Sequence, residues 1–370
     1  MVRLGSMDAS RFLFVGAYTE ANTQPSGHAE GICVFRRTAE PDQLELVSIA
    51  REARNPSFLA LHPSGRFLYA VNELEQGSVS AFAVAQDGRL RLLAEQSSGG
   101  SAPAHLSVDA SGSSVLVANY VSGSWAVLPI RSDGGLEALS DLWQASGSGP
   151  DRKRQEGPHA HFVTQVPGSS LVLGCDLGCD RIRLWRLIEA PGRLEAAAPD
   201  SWVARPGSGP RHACFHPALQ LIYVVNELDS TVDVLAQEPG GLSHRQTVTC
   251  LPSGFSGEST AAEIALHPSG RHLYISNRGH DSVAAFAVDP DRGDLTPAGW
   301  WPSGGKNPRS FAIEPEGSVL YAANQDADAI VSFAIDRSSG HLSQLGQAAT
   351  APSAVCLLFD GSGRRLGAST

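Results

Sequence analysis

A polar turn followed by a β-rich run that ends in Asn or a close substitute recurs along this chain. The copies are HPSGRFLYAVNE (62–73), DASGSSVLVANY (109–120), VPGSSLVLGCDL (166–177), HPALQLIYVVNE (216–227), HPSGRHLYISNR (267–278) and EPEGSVLYAANQ (314–325). Their starts are separated by 47, 57, 50, 51 and 47 residues. RFLFVGAY, at 11–18, is a further copy without the preceding turn, which makes seven. Self-similarity at such a period means that each unit buries its apolar face against its neighbours, as in solenoids, propellers and arrays.

The inside of one repeat chooses among these. In the second copy, residues 56–63 read as a strand and Ser64-Gly65 as a turn. Residues 67–72 read as a second strand, and SVSAFAV (78–84), which alternates apolar and polar side chains, as a third. Asp87-Gly88 is a hairpin signal, and 90–96 is a fourth strand. Four antiparallel strands per repeat make a propeller blade. We label them A to D from the channel outward. The hairpins are too long and too regular for the rungs of an open β-solenoid. The N-terminal copy starts at strand B and lacks an A strand, whereas PSAVCLLF (352–359) is an orphan with A-strand character. The expected fold is therefore all-β: a seven-bladed propeller closed by pairing of the C-terminal strand with the N-terminal strands, which removes two exposed sheet edges. The repeat also overrides the prior of two or three domains that 370 residues would suggest. A single domain is expected over 8–370, with 1–7 as a vector remnant or disordered N-terminus. The 38 glycines and 23 prolines, scattered throughout, suit many short strands joined by turns.

Composition excludes several functions. The formal net charge of −10 disfavours nucleic acid and anionic membrane surfaces as partners, but a local arginine cluster can still hold an anionic small molecule. No apolar run approaches the ~18 residues of a spanning helix, and no signal-peptide core is present. A cytoplasmic location is the default expectation. The six cysteines do not resemble a disulfide framework, and only Cys175 and Cys179 are close in sequence. They lack a second pair for a zinc site. There is no nucleophile-elbow serine, phosphate loop or dinucleotide fingerprint.

Strand order predicts where polar groups converge. In an antiparallel blade, the start of A and the end of B share one edge. The A starts supply Asn55, His105, His159, His161, Arg211, His212, Glu263 and Arg309. The B ends supply Tyr18, Glu73, Tyr120, Asp176, Glu227, Arg278, Gln325 and Asp326. One mouth of the channel thus mixes imidazole, carboxylate and guanidinium groups. These are the groups needed to activate water, stabilise an oxyanion and grip a substrate; a merely solvated polar rim is the alternative. The opposite mouth carries the HPSG-type turns, whose histidines His62, His216 and His267 are expected to brace those turns. His159 and His161, two apart on a strand, are expected on one face. Catalytic, substrate-binding, structural and metal-binding roles all stay open for them, although no third metal ligand is visible as a motif.

Six segments resemble the seven-bladed lactonase family, which includes propeller-type 6-phosphogluconolactonases and fungal 3-carboxy-cis,cis-muconate cyclases. They are NPSFLALHPSGRFLYAVNE (55–73), RQEGPHAH (154–161), GPRHACFHP (209–217), VVNELDSTVDV (224–234), ISNRGHDSV (275–283) and NPRSFAIEPEG (307–317). The resemblance runs from Gly16 to the ANQDAD segment, and it implies a catalytic histidine at His161 or His159, arginines at Arg211 and Arg278, and a glutamate at Glu227. His159, His212, Arg154 and Arg309 are expected substrate-binding neighbours. Nothing is carried over at Gly174-Cys175-Asp176, which departs from the Asn-rich pattern. The implied reaction is hydrolysis of an anionic sugar δ-lactone, 6-phospho-D-glucono-1,5-lactone above all. His161 or Glu227 is the expected base, with no metal, no cofactor and no covalent intermediate. A muconate-type cycloisomerase and a non-enzymatic scaffold are the alternatives. The expected assembly is a monomer or weak homo-oligomer.

Overall fold

The computed structural model describes residues 11–22, 26–190 and 192–361. Expectations for residues 1–7 lie outside them. The described residues form seven four-stranded antiparallel sheets. Blade 1 pairs Ala354–Phe359 with Phe12–Ala17, followed by Ile32–Arg37 and Leu44–Ala50. Blade 2 holds Leu59–Leu61, Phe67–Asn72, Ser78–Val84 and Leu90–Ser97. Blades 3 to 7 repeat this order, with A strands at Pro103–Val108, Ala160–Gln165, Pro210–Phe215, Thr260–Leu266 and Pro308–Ile313. Every A strand touches the A strands of the next and previous blades, including Ala354–Phe359 against Leu59–Leu61, so the ring closes.

The expected closure is observed in register: Leu13 faces Phe359, Phe14 faces Leu358 and Val15 faces Leu357. The middle strands of blade 2 match the sequence reading. Its A strand is shorter than 56–63, because Asn55 takes a left-handed φ of 43° and accepts the Ser57 amide in a tight turn at 2.7 Å.

The core is a set of layers between blades. Each of the seven buried apolar clusters draws on two adjacent blades, for example Leu221, Tyr223 and Val234 against Leu273, Ile275 and Phe286. Polar residues of the repeat add ties at both ends. The expected bracing role of His62 and His267 is seen: each ring binds the Ser two residues on through Nδ1, at 2.8 Å. Each Nε2 also reaches the next blade's turn, at Gly112 O (3.1 Å) and Gly317 O (2.7 Å). His216 Nδ1 accepts the amides of Ala218 and Leu219. At the other end, Asn119, Asn277 and Asn324 donate to Ser98 O, Cys250 O and Ser303 O, the outer ends of the preceding blades. The motif asparagines are therefore structural.

Candidate active site

A break in strand regularity builds the site. In six blades the pairing of A with B slips near the start of A, leaving an extra residue opposite the B strand. Such a bulge re-aims a side chain. Among the bulged residues are Ala104, His161, Arg211, Arg309 and Val355, and all five line one narrow cleft in the channel, with Ser57, Phe58, Glu73, His212 and Glu263. The sequence carries a signal for this: Pro103, Pro210 and Pro308 each precede the bulged residue. The bulge also corrects the expectation that His159 and His161 share a face, because strict alternation fails between Ala160 and Phe162.

Glu227 is the hub of one side. Its carboxylate is buried and takes three guanidinium groups: Arg154 at 2.5 Å on Oε1, with Arg211 and Arg278 (3.0 Å) on Oε2. Burial pushes its carboxyl upward, but Arg278, Arg211 and Arg154 overcome this and hold it well below the usual carboxylate range. Arg211 Nε donates to Ala262 O at 3.1 Å, and Arg278 Nη2 donates to Ala261 O at 3.3 Å. Burial lowers the Arg278 guanidinium to about 9 against the pull of Glu227.

His161 is buried beside this hub. Burial first, then Arg211 and His212, keep its ring neutral well below the ordinary imidazole range, and Nδ1 has no hydrogen-bond partner. His212 packs against it with ring centroids 5.1 Å apart, and its Nδ1 meets Glu263 Oε1 at 3.1 Å. His159 is turned away. Its Nδ1 faces Tyr120 O and its Nε2 faces Glu156 Oε1, both at 3.2 Å, while its ring stacks on Tyr120 at 4.5 Å. Among the described residues, no three His, Cys, Asp or Glu side chains are gathered as a metal site.

The opposite wall holds Glu73, which accepts from Tyr18 Oη (3.0 Å) and Ser57 Oγ. Arg309 lies over the Tyr18 ring at 5.5 Å. Its guanidinium makes no hydrogen bond or ion pair among the described residues, unlike the three arginines on Glu227.

Other mouth candidates are placed elsewhere. Asp176 occupies the position of the motif asparagines, fully buried, where it pairs with Arg183 at 3.2 Å and accepts the amides of His159 and Cys179. Asn55 braces the loop after strand B of blade 1, accepting the Thr19 and Glu20 amides. Asp326 accepts from Asn307 Nδ2 on the surface. His105 sits deeper, between Phe58 and Phe162 at 4.2 and 4.4 Å. All six cysteines are free.

Residues 12–359 match the family model described as lactonase, 7-bladed beta-propeller. The chain belongs to this family. A 6-phosphogluconolactonase of Bacillus subtilis is 35% identical over 76% of this chain and 79% of its own length. One from Formosa agariphila is 32% identical over 81% of this chain and 85% of its own. The crystal structure of a periplasmic gluconolactonase of Pseudomonas aeruginosa superposes with a TM-score of 0.85 at 32% identity, covering 94% of this chain and 98% of that one. Because that lactonase is periplasmic, membership of the family does not carry the cytoplasmic expectation. No helix among the described residues is long and apolar enough to cross a membrane.

Proposed function

We propose that this lactonase hydrolyses 6-phospho-D-glucono-1,5-lactone to 6-phosphogluconate. The observation that carries the reading is the division of labour among four arginines. Three are tied to Glu227, whereas Arg309 makes no hydrogen bond or ion pair among the described residues and feels Tyr18, Glu73 and Glu227 only at longer range.

The geometry supports distinct roles. A carboxylate held by three guanidinium groups is a weak base, so Glu227 acts as an anchor that orients Arg211 and Arg278. Three cations on one anion leave positive charge to stabilise an oxyanion. His161, neutral and lining the cleft, takes the proton of the attacking water. Water oxygen bonds to C1, and the carbonyl electrons pass to the oxyanion beside Arg211 and Arg278. Collapse breaks the C1–ring-oxygen bond, and the His161 imidazolium returns its proton to the departing C5 oxygen. The product acid then ionises. Arg309 takes the phosphate of the substrate. The gluconolactonase relative makes an unphosphorylated lactone the second reading.

Initial rates on freshly made 6-phosphogluconolactone and on gluconolactone, with and without EDTA, test this. The expected result is EDTA-insensitive turnover with a clear preference for the phosphorylated lactone. Equal rates on both remove the role given to Arg309, and loss of rate in EDTA revives a metal on the His159/His161 pair.

A further inference from the structure

Two buried imidazole nitrogens in the cleft wall lack hydrogen-bond partners among the described residues: Nδ1 of His161 and Nε2 of His212. They belong to rings that pack against each other at 5.1 Å, tilted by 64°. An unpaired polar atom in a buried position costs free energy, so two in one contact call for an explanation. The other nitrogen of His212 supplies one. Its Nδ1 meets Glu263 Oε1, which is itself pinned by the Ile264 amide at 3.0 Å. A carboxylate accepts, so Nδ1 of His212 carries the proton and Nε2 presents a lone pair. The complementary state of His161 has its proton on Nδ1, to donate to that lone pair, which leaves Nε2 of His161 as the basic atom.

We infer that Glu263 and His212 are positioning residues that fix the tautomer of His161, in a chain from Glu263 through His212 to His161. The inference rests on the reading of His161 as the general base. Catalytic hydrogen bonds are often long before substrate binds, and the one between these two packed rings is not formed in this structure. Neighbouring inner strands supply the three residues: Ala160–Gln165, Pro210–Phe215 and Thr260–Leu266. The logic is that of a base held by a third group, met here with one more ring in the chain. The groups facing His161 are Arg211, Glu227, Arg309, His212 and Tyr120. Those facing His212 are Glu263, Arg211, Arg309, His105 and His161. Among the described residues, Glu263 alone of these holds a ring nitrogen of the pair by a hydrogen bond.

Two measurements on the full chain test this. Nitrogen-15 NMR of the imidazoles, without substrate, should show His161 protonated at Nδ1 in the native protein and as a tautomer mixture in Glu263→Gln. Protonation at Nε2 in the native protein overturns the inference, whatever lactone the enzyme uses. On the lactone the native protein turns over best, Glu263→Gln should lower kcat by about 10²-fold, the lower range for loss of a general base, with KM little changed. The acid limb of the kcat/KM profile should move to lower pH, because the carboxylate that favours the imidazolium is gone. His212→Phe should cost a similar factor, the double variant should cost no more than either single one, and Glu263→Asp should recover part of the rate. Unchanged kcat and acid limb, a loss confined to KM, or additive losses sink the chain. Failure of the native protein on every lactone sinks instead the function proposed above, and the tautomer measurement still decides the relay.

Discussion

At the scale of single residues, the site is a problem of which charges pair. The sequence names four arginines, three histidines and the glutamates that surround them. It does not say that Arg154, 57 positions from Arg211 and 73 from Glu227, shares the same carboxylate as Arg211 and Arg278. That pairing comes from side chains of different blades meeting in the channel, and it is what makes Glu227 an anchor rather than a base in the proposed mechanism. The buried histidines make a testable consequence. Burial lowers the pKa of His105, His161 and His212 in the fold, whereas in the unfolded chain they titrate near ~6.5. The unfolded state therefore binds protons that the native state refuses, and stability rises with pH. It is fully present above about pH 6.5 and is lost as pH falls from there toward the folded values. Glu227, held low by its arginines, adds to the loss once pH falls into the ordinary carboxylate range, where the unfolded chain takes up a proton that the native state refuses. His267 and His272, also lowered by burial, act in the same sense. Urea midpoints measured between pH 7.5 and 5.5 should fall with pH, and His105→Phe, which suits the ring's place between Phe58 and Phe162, should make the fall shallower. A flat profile in the native protein would contradict the neutral-ring assignment.

Strands B and C were the most legible elements, because a β-rich run capped by Asn repeats with them and period-two alternation marks their faces. The A strand was less so. Its apolar pattern survives, but the bulge inserts one residue, and a one-residue slip moves every later side chain to the other face. Hence His159 and His161 looked like a pair and are not, while Ala104 and Val355 line the cleft without any chemical signature. The turn histidines show how the repeat joins element to element. His267 braces its own turn and reaches Gly317 O of the next blade at 2.7 Å. Gly317 has a φ of +75°, and a Cβ there would lie 2.7 Å from His267 Nε2. Gly317→Ala should thus cost more than ~1 kcal/mol, combining a left-handed alanine with a displaced ring. Thermal unfolding checks this, and His267→Ala in the same background should recover part of the loss by clearing the clash. A Tm equal to that of the native protein would show that the tie between turns has no energetic weight.

At the scale of the whole molecule, a total charge of −10 coexists with an arginine-rich cleft, because the propeller folds separate parts of the sequence into one mouth. Net charge disfavours extended polyanions as partners and does not speak to a pocket. Closure has the same character: it depends on a strand more than three hundred residues from its partner, and the Arg11 amide bonds the Asp360 carboxylate across that gap. The closing strand packs on two sides. Leu357 and Phe359 join the cluster shared with blade 7, and Cys356 and Leu358 join the one shared with blade 2. At ~1.5–3 kcal/mol for each buried apolar side chain, these four residues contribute on the order of 10 kcal/mol. That is comparable to the entire stability of an ordinary domain, ~5–15 kcal/mol. Its removal also exposes the edge of Phe12–Ala17 and takes Val355 from the cleft wall. A chain ending at Ser353 should therefore lose cooperative urea unfolding followed by circular dichroism, and it should aggregate through the open edge on size exclusion. If that chain stays monodisperse with an unchanged midpoint, the ring does not depend on its closing strand, and the remaining blades must be stable without it.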